Sequence, residues 1–314
     1  MSAVELASTA RVAVEAKRPR PRRPKLSETW WRHLVGIVAC VFALFPIWFV
    51  ASAAFDSSQS MSGTGFLPTS WTVHNFGRLL HDTIPSAGGK GTIYAPFLHW
   101  FANTLIVATV SALLTVLISA WAAYAFSRFR FRGRRMGMLA LLLIQMFPQL
   151  LLFVAIYLVI YNVGGIFSVV SLNTYPALIL VYLGGAMGVN TWLMKGFFDT
   201  IPKELDESAR VDGATPAQIF WGVVLPLALP ILAVIGLWSF IASLNEYVLA
   251  SVIMQSPDHY TLPVGLRGFI NGQYSTYWGY YAAAALMAAV PAAALFAWLQ
   301  RFIVSGLAQG AVKG

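Results

Sequence analysis

Charged groups are scarce in this chain, so each one next to apolar sequence is informative. Four of the twelve acids, Glu204, Asp206, Glu207 and Asp212, fall in one polar stretch, Lys203–Pro226, between two long apolar segments. A fifth carboxylate, Glu246, stands beside Asn245 inside an apolar block. Carboxylates can do acid–base work or hold a metal, but only with a nucleophile, base or further ligands at hand. No HExxH, GxSxG or Walker motif supplies these. The five histidines, His33, His74, His81, His99 and His259, are scattered at or beyond the ends of apolar blocks. Gly88-Gly89-Lys90-Gly91-Thr92 looks faintly like a phosphate loop, but Gly91 stands where Ser or Thr must follow the lysine, and Ile84 where the first glycine belongs. One cysteine, Cys40, allows neither an internal disulfide nor a thiolate metal cluster. The chain therefore reads as a non-enzyme that binds no cofactor or metal of its own.

The elements that carry these residues are greasy. Of 314 residues, 58% are hydrophobic and 11% charged, with a mean hydropathy of +0.68; soluble domains carry about 25% charged residues. The apolar residues come in blocks, which predicts a polytopic membrane protein. Six blocks are expected to span: His33–Phe55, Phe97–Phe126, Met136–Asn162, Tyr175–Phe198, Leu227–Ile253 and Tyr280–Val304. Residues 1–32 form a basic tail. Its run Arg18–Pro24 cannot hold a helix, since proline recurs every two or three residues, and the tail is expected to be disordered, hugging anionic headgroups or serving as a plain orientation signal. Residues 56–96 read as a flexible outer loop, and 305–314 as a flexible tail. The net charge of +9 does not indicate nucleic acid. The run Ser127–Arg135, with five arginines, lies between two spans, where headgroup snorkelling explains it better than RNA binding. Eight Lys and Arg lie in the tail, five in 127–135, three in 195–222 and two near the C-terminus, against three in the other loops. That bias puts both termini and the 203–226 loop in the cytoplasm.

The local signals within 203–226 spell helix, turn, helix. Pro202 suits a first turn, and Gly213 can take the left-handed conformation that ends a helix. Thr215 is a good N-cap, followed by Pro216 and by Gln218 at the third position of a capping box. So compact a pair of helices needs something to dock on. Glu246, about 19 residues into its block, lies roughly 28 Å along a helix. It faces a translocation path with Asn245, or it makes a helix–helix or interfacial contact. Asn103, Gln145 and Asn190 read as interhelical glue. In the outer loop 254–279, Asn271, Gln273, Tyr274, Tyr277 and Trp278 combine aromatics and amides. That set suits either sugar rings or a membrane-interface belt.

Glu207-Ser208-Ala209, Asp212-Gly213 and Leu225-Pro226 resemble the EAA signature of ABC importer permeases, with Ser208 where alanine is usual. Leu67–Phe76, Asn103–Gly133 and the stretch from Asp212 to the C-terminus are similar to the carbohydrate branch, of the smaller, MalG-like type. The resemblance covers about residues 35–314. It implies an all-α polytopic membrane protein of the type I permease fold, with a six-helix domain over 33–304 and a cytoplasmic coupling helix. It also implies a bacterial plasma-membrane location, a MalF-like partner permease, an ABC ATPase homodimer holding the ATP and Mg, and an extracytoplasmic sugar-binding protein met by loop 254–279. The expected cargo is a maltose-type oligosaccharide. The absence of Lys or Arg within a span tilts against an anionic cargo such as glycerol phosphate, while trehalose and other sugars stay open. A stand-alone carrier would call for internal repeats and buried charge pairs, and these are not evident.

Overall fold

A computed structural model of the chain describes residues 26–59, 66–85, 91–270 and 277–311. The basic tail before Leu26, and Asn271, Gln273 and Tyr274, lie outside them. Residues up to Phe49 form one unit and Val50 onward another. The first contains most of helix α1, Leu26–Ala54, which begins inside the stretch assigned to the tail. The second opens with a short helix α2, His74–Leu79, and an antiparallel hairpin, β1 Thr83–Pro85 and β2 Thr92–Tyr94. The expectation of a merely flexible outer loop is corrected here. The Asp56 carboxylate accepts from the backbone N–H of Ser58 and of Thr69, each at 2.8 Å, and Asn75 Nδ2 donates to the carbonyls of Ala54 and Asp56.

The long helices follow: α3, Phe97–Arg128; α4, Arg134–Gln145; α5, Phe153–Ile166; and α6, Tyr175–Phe198. After them come α7, Lys203–Val211; α8, Pro216–Ile219; α9, Leu225–Leu227; α10, Leu229–Asn245; α11, Val248–Ile253; α12, Leu262–Ile270; and α13, Trp278–Ala311. Helix α3 packs along both α6 and α10. One core joins Ala120, Ala123 and Tyr124 of α3 to Met194 and Phe198 of α6 and to Ile219, Phe220 and Val224. Another gathers Phe97, Trp100, Leu266, Phe269 and Tyr280. Gly265 lets α12 lie against α3: a Cβ there would sit 2.2 Å from the Trp100 ring.

Among the described residues, four helices are long and apolar enough to cross a bilayer: Trp30–Ala54, Phe97–Arg128, Tyr175–Phe198 and Trp278–Ile303. The bent pair Pro216–Leu227 and Leu229–Asn245 makes a fifth if counted as one span. The expected third span, Met136–Asn162, is instead α4 and α5, separated by a 3₁₀ turn at Gln149–Leu152. Pro148 explains the break, since it has no N–H to donate and disfavours helix at the residue before it. The expected fifth span, Leu227–Ile253, is interrupted at Glu246-Tyr247. The last helix runs on to Ala311, past Val304, into the stretch expected to be a flexible tail.

Candidate functional site

Between α6 and α10 the chain folds into a knuckle. Helix α7 ends in a Schellman turn. Ala214 N–H donates to the Ala209 carbonyl at 2.9 Å and Gly213 N–H to Arg210 at 3.0 Å, with Gly213 at φ +84°. No atom would meet a Cβ on Gly213, so the constraint there is backbone conformation, not space. Thr215 and Gln218 close a capping box: Gln218 N–H donates to Thr215 Oγ1 at 3.3 Å, and Thr215 N–H to Gln218 Oε1 at 2.8 Å. A π-helical turn, Phe220–Val224, leads into α9. Helices α8–α9 and α10 then meet at 78° around Ala228. Pro226 and Pro230 flank that bend, and each withholds an N–H that a straight helix would use.

The knuckle is held from one side. Arg128, the last residue of α3, has its Nε 2.8 Å from Asp206 Oδ2, with both side chains at most 4% exposed. Its Nη2 donates to the Ile201 carbonyl at 3.1 Å. Ser127 Oγ donates to Asp199 Oδ1 at 2.7 Å, and Lys195 pairs with the same carboxylate. Burial pushes the Asp199 carboxyl up, but the hydrogen bonds from Lys195 and Ser127 outweigh it and hold it below the ordinary carboxylate range. Tyr124 donates to the Pro216 carbonyl at 3.3 Å, and its ring packs on Phe220 at 5.0 Å. The opposite side is open. Glu204, Glu207, Ser208, Asp212 and Gly213 are exposed, with Leu205 and Val211 as uncovered apolar side chains. Ala209 and Leu225 are half-buried, and Pro226 is exposed.

The residues proposed for coupling thus lie on one connected element, but the sequence reading missed what anchors it. The position of Arg128 among five arginines predicts that it snorkels to lipid headgroups like its neighbours. It turns inward, while Arg130, Arg132 and Arg135 are exposed. The only signal available was that Asp206 and Ala209 share a face at i, i+3 spacing.

Glu246 is not inside a helix. It follows α10, and its carboxylate accepts from the N–H of Leu249 at 2.7 Å, of Ala250 at 2.9 Å and from the Tyr182 hydroxyl at 2.8 Å. It therefore satisfies first-turn donors of α11, where the helix dipole favours a negative charge. It also borders a cavity of about 600 Å³, lined by Gln145, Phe147, Tyr182, Asn190, Trp238 and Ser243 among others, with no Lys or Arg among the described residues of the lining. Asn245 is exposed; its Nδ2 donates to the Ile241 carbonyl, and it lies outside this cavity. Asn103 Nδ2 donates to the carbonyls of Asp258 and Tyr260, and Asn190 Nδ2 to Ser239 Oγ at 3.4 Å. Both join elements. Tyr277 is half-buried against Phe269 and Tyr280, and Trp278 stands edge-on to Tyr281.

Comparisons with known proteins give the family. Residues 115–309 match the family described as binding-protein-dependent transport system inner membrane component. The chain is 38% identical over 282 residues to the maltodextrin transport system permease protein MdxG of Bacillus subtilis (strain 168), covering 90% of this chain and 95% of that one. It is 36% identical to the galactooligosaccharides transport system permease protein GanQ of the same organism, covering 90% and 94%. It is also 36% identical over 297 residues to the maltose/maltodextrin transport system permease protein MalG of Escherichia coli (strain K12), covering 94% and 98%. Among solved structures it is similar to a bacterial ABC transporter involved in the import of the acidic polysaccharide alginate, with TM-score 0.66 and 26% identity, covering 91% of this chain and 99% of that one.

Proposed function

The chain belongs to the binding-protein-dependent transport system inner membrane components, on their MalG-like carbohydrate branch, and from that premise we propose that it is the permease subunit that turns ATP-driven motion into passage of a neutral oligosaccharide. The observation that carries this reading is the knuckle 203–226. Its inner side is anchored by a buried ion pair, while its outer side is left uncovered. A short helix so tightly terminated transmits displacement, whereas a loose loop would absorb it. In this reading the exposed face of α7 sits in a cleft of an ABC ATPase homodimer, which holds the ATP and Mg. Closure of that dimer pushes the knuckle, and α3, α6 and α10 tilt from inward-open to outward-open. A MalF-like permease completes the path, and an extracytoplasmic sugar-binding protein delivers cargo on the side of loop 254–279. Both termini then face the cytoplasm, and the broken segments 134–166 and 227–253 each count as one of six spans.

The cavity beside Glu246 supports a neutral cargo. Its volume lies in the usual ligand range, and its lining offers no cation for an acidic sugar. The matched relatives are named for maltodextrin, maltose and galactooligosaccharides, so a maltose-type oligosaccharide is the first candidate and other neutral oligosaccharides follow. The double variant Glu207→Ala, Gly213→Val, reconstituted with its partners, is expected to assemble but to lose sugar uptake by about a hundredfold. Uptake at the normal rate contradicts the coupling role. Stimulation of ATP hydrolysis by a panel of oligosaccharides identifies the cargo.

A further inference from the structure

The buried pair Arg128–Asp206 is the least expected charge in the molecule. Of the four acids in the knuckle, only Asp206 is buried; Glu204, Glu207 and Asp212 are exposed. Its partner is the terminal residue of α3, the helix that packs along both α6 and α10. Arg128 makes two contacts at once, through Nε to the carboxylate of Asp206 and through Nη2 to the carbonyl of Ile201. Those two residues bracket the start of α7, so one buried side chain ties both the entry to the helix and its second turn to the end of α3. Neighbouring residues of α3 hold the flanks: Ser127 reaches Asp199 and Tyr124 reaches the Pro216 carbonyl. A buried ion pair is weak evidence of stability, because apolar replacements of similar volume are commonly neutral or better. What apolar packing lacks is a charge attraction across the α3–α7 contact together with a directional hydrogen bond from the same side chain to the Ile201 carbonyl.

We propose that Arg128 and Asp206 are a positioning pair, the rigid strut through which movement of α7 becomes tilt of α3. This rests on the coupling reading of the knuckle. Asp206 acts through its partner and touches neither nucleotide nor sugar. The strut makes a prediction that a merely structural role does not. Replacing both ends with apolar residues should preserve the complex while weakening the transmission of work.

The test uses the full complex of both permeases, the ATPase pair and the binding protein, in vesicles. Three quantities are read: sugar taken up per ATP hydrolysed, the thermal midpoint, and crosslinking from a cysteine at position 207 to the ATPase. For Arg128→Met with Asp206→Leu, the midpoint and the crosslink are expected to be retained while uptake per ATP falls about fivefold or more. Asp206→Asn, which leaves Arg128 facing a neutral partner, should fall further. An unchanged ratio in the double variant overturns the proposal. If the double variant does not assemble, the ratio is read on Arg128→Lys, which keeps the charge but replaces the rigid guanidinium with a single ammonium on a flexible stem. A lowered ratio there supports the strut, and an unchanged one overturns it. Failure of the position-207 crosslink in the otherwise unaltered complex would contradict the coupling reading itself, independently of the strut.

Discussion

Helix α10 is broken at both ends, and the two breaks have opposite causes. On either side of Ala228 the chain lacks donors: Pro226 and Pro230 have no N–H, and the path turns by 78° between them. After Asn245 the chain has donors in place, and a side chain captures them. Glu246 accepts the N–H groups of Leu249 and Ala250 together with the Tyr182 hydroxyl. The first break draws on missing backbone donors that lie next to it in sequence. The second is a tertiary construction that depends on α6. The proline bend adjoins the knuckle, where the proposed coupling role calls for a fixed shape. The carboxylate break borders the cavity, where a side-chain bond can form or open as the helices shift.

Changes at the two breaks should therefore have different signatures. The largest effect is expected for Glu246→Ala, which strands two backbone donors and a tyrosine hydroxyl in a half-buried place. A loss of about 3 kcal/mol in stability should appear as a lower thermal midpoint of the purified subunit or complex. A midpoint unchanged by that substitution would mean that α11 does not need the carboxylate. Tyr182→Phe removes one of the three bonds and should cost about 1.5 kcal/mol by the same measurement. Pro226→Ala with Pro230→Ala should move the midpoint least, by less than about 1 kcal/mol, because both prolines occupy early-turn positions that need no donor. Yet restored donors allow the bend to straighten, and vesicle uptake should drop about fivefold. If the proline pair shifts stability as strongly as Glu246→Ala, the distinction between the two ends fails.

This contrast also explains what could be read from the chain in advance. Gly213, Thr215, Pro216 and Gln218 each carry their own local instruction, and the Schellman turn and capping box follow it. Glu246 was conspicuous by its charge, but its role depends on Tyr182, 64 positions away, and no local pattern announces that. Arg128 was grouped with its neighbours because a count of arginines cannot tell which one turns inward; Asp206 decides it. The apolar run Met136–Asn162 was read as one span because average hydropathy is insensitive to a single Pro148. The close crossing of α4 and α6 was equally hidden: Gly188 permits it, since a Cβ there would lie 2.8 Å from the Leu141 carbonyl oxygen.

The most direct measurement places single cysteines at Glu207 and Val211, on the open face of α7, and at Asp206 on its anchored face, in the assembled transporter. A short crosslinker is expected to join positions 207 and 211 to the ATPase subunit, with yields that change when ATP is bound, and to leave position 206 unjoined. Equal yields from all three positions, or none from 207 and 211, would contradict the assignment of the knuckle as the element that receives force from the nucleotide-driven subunits.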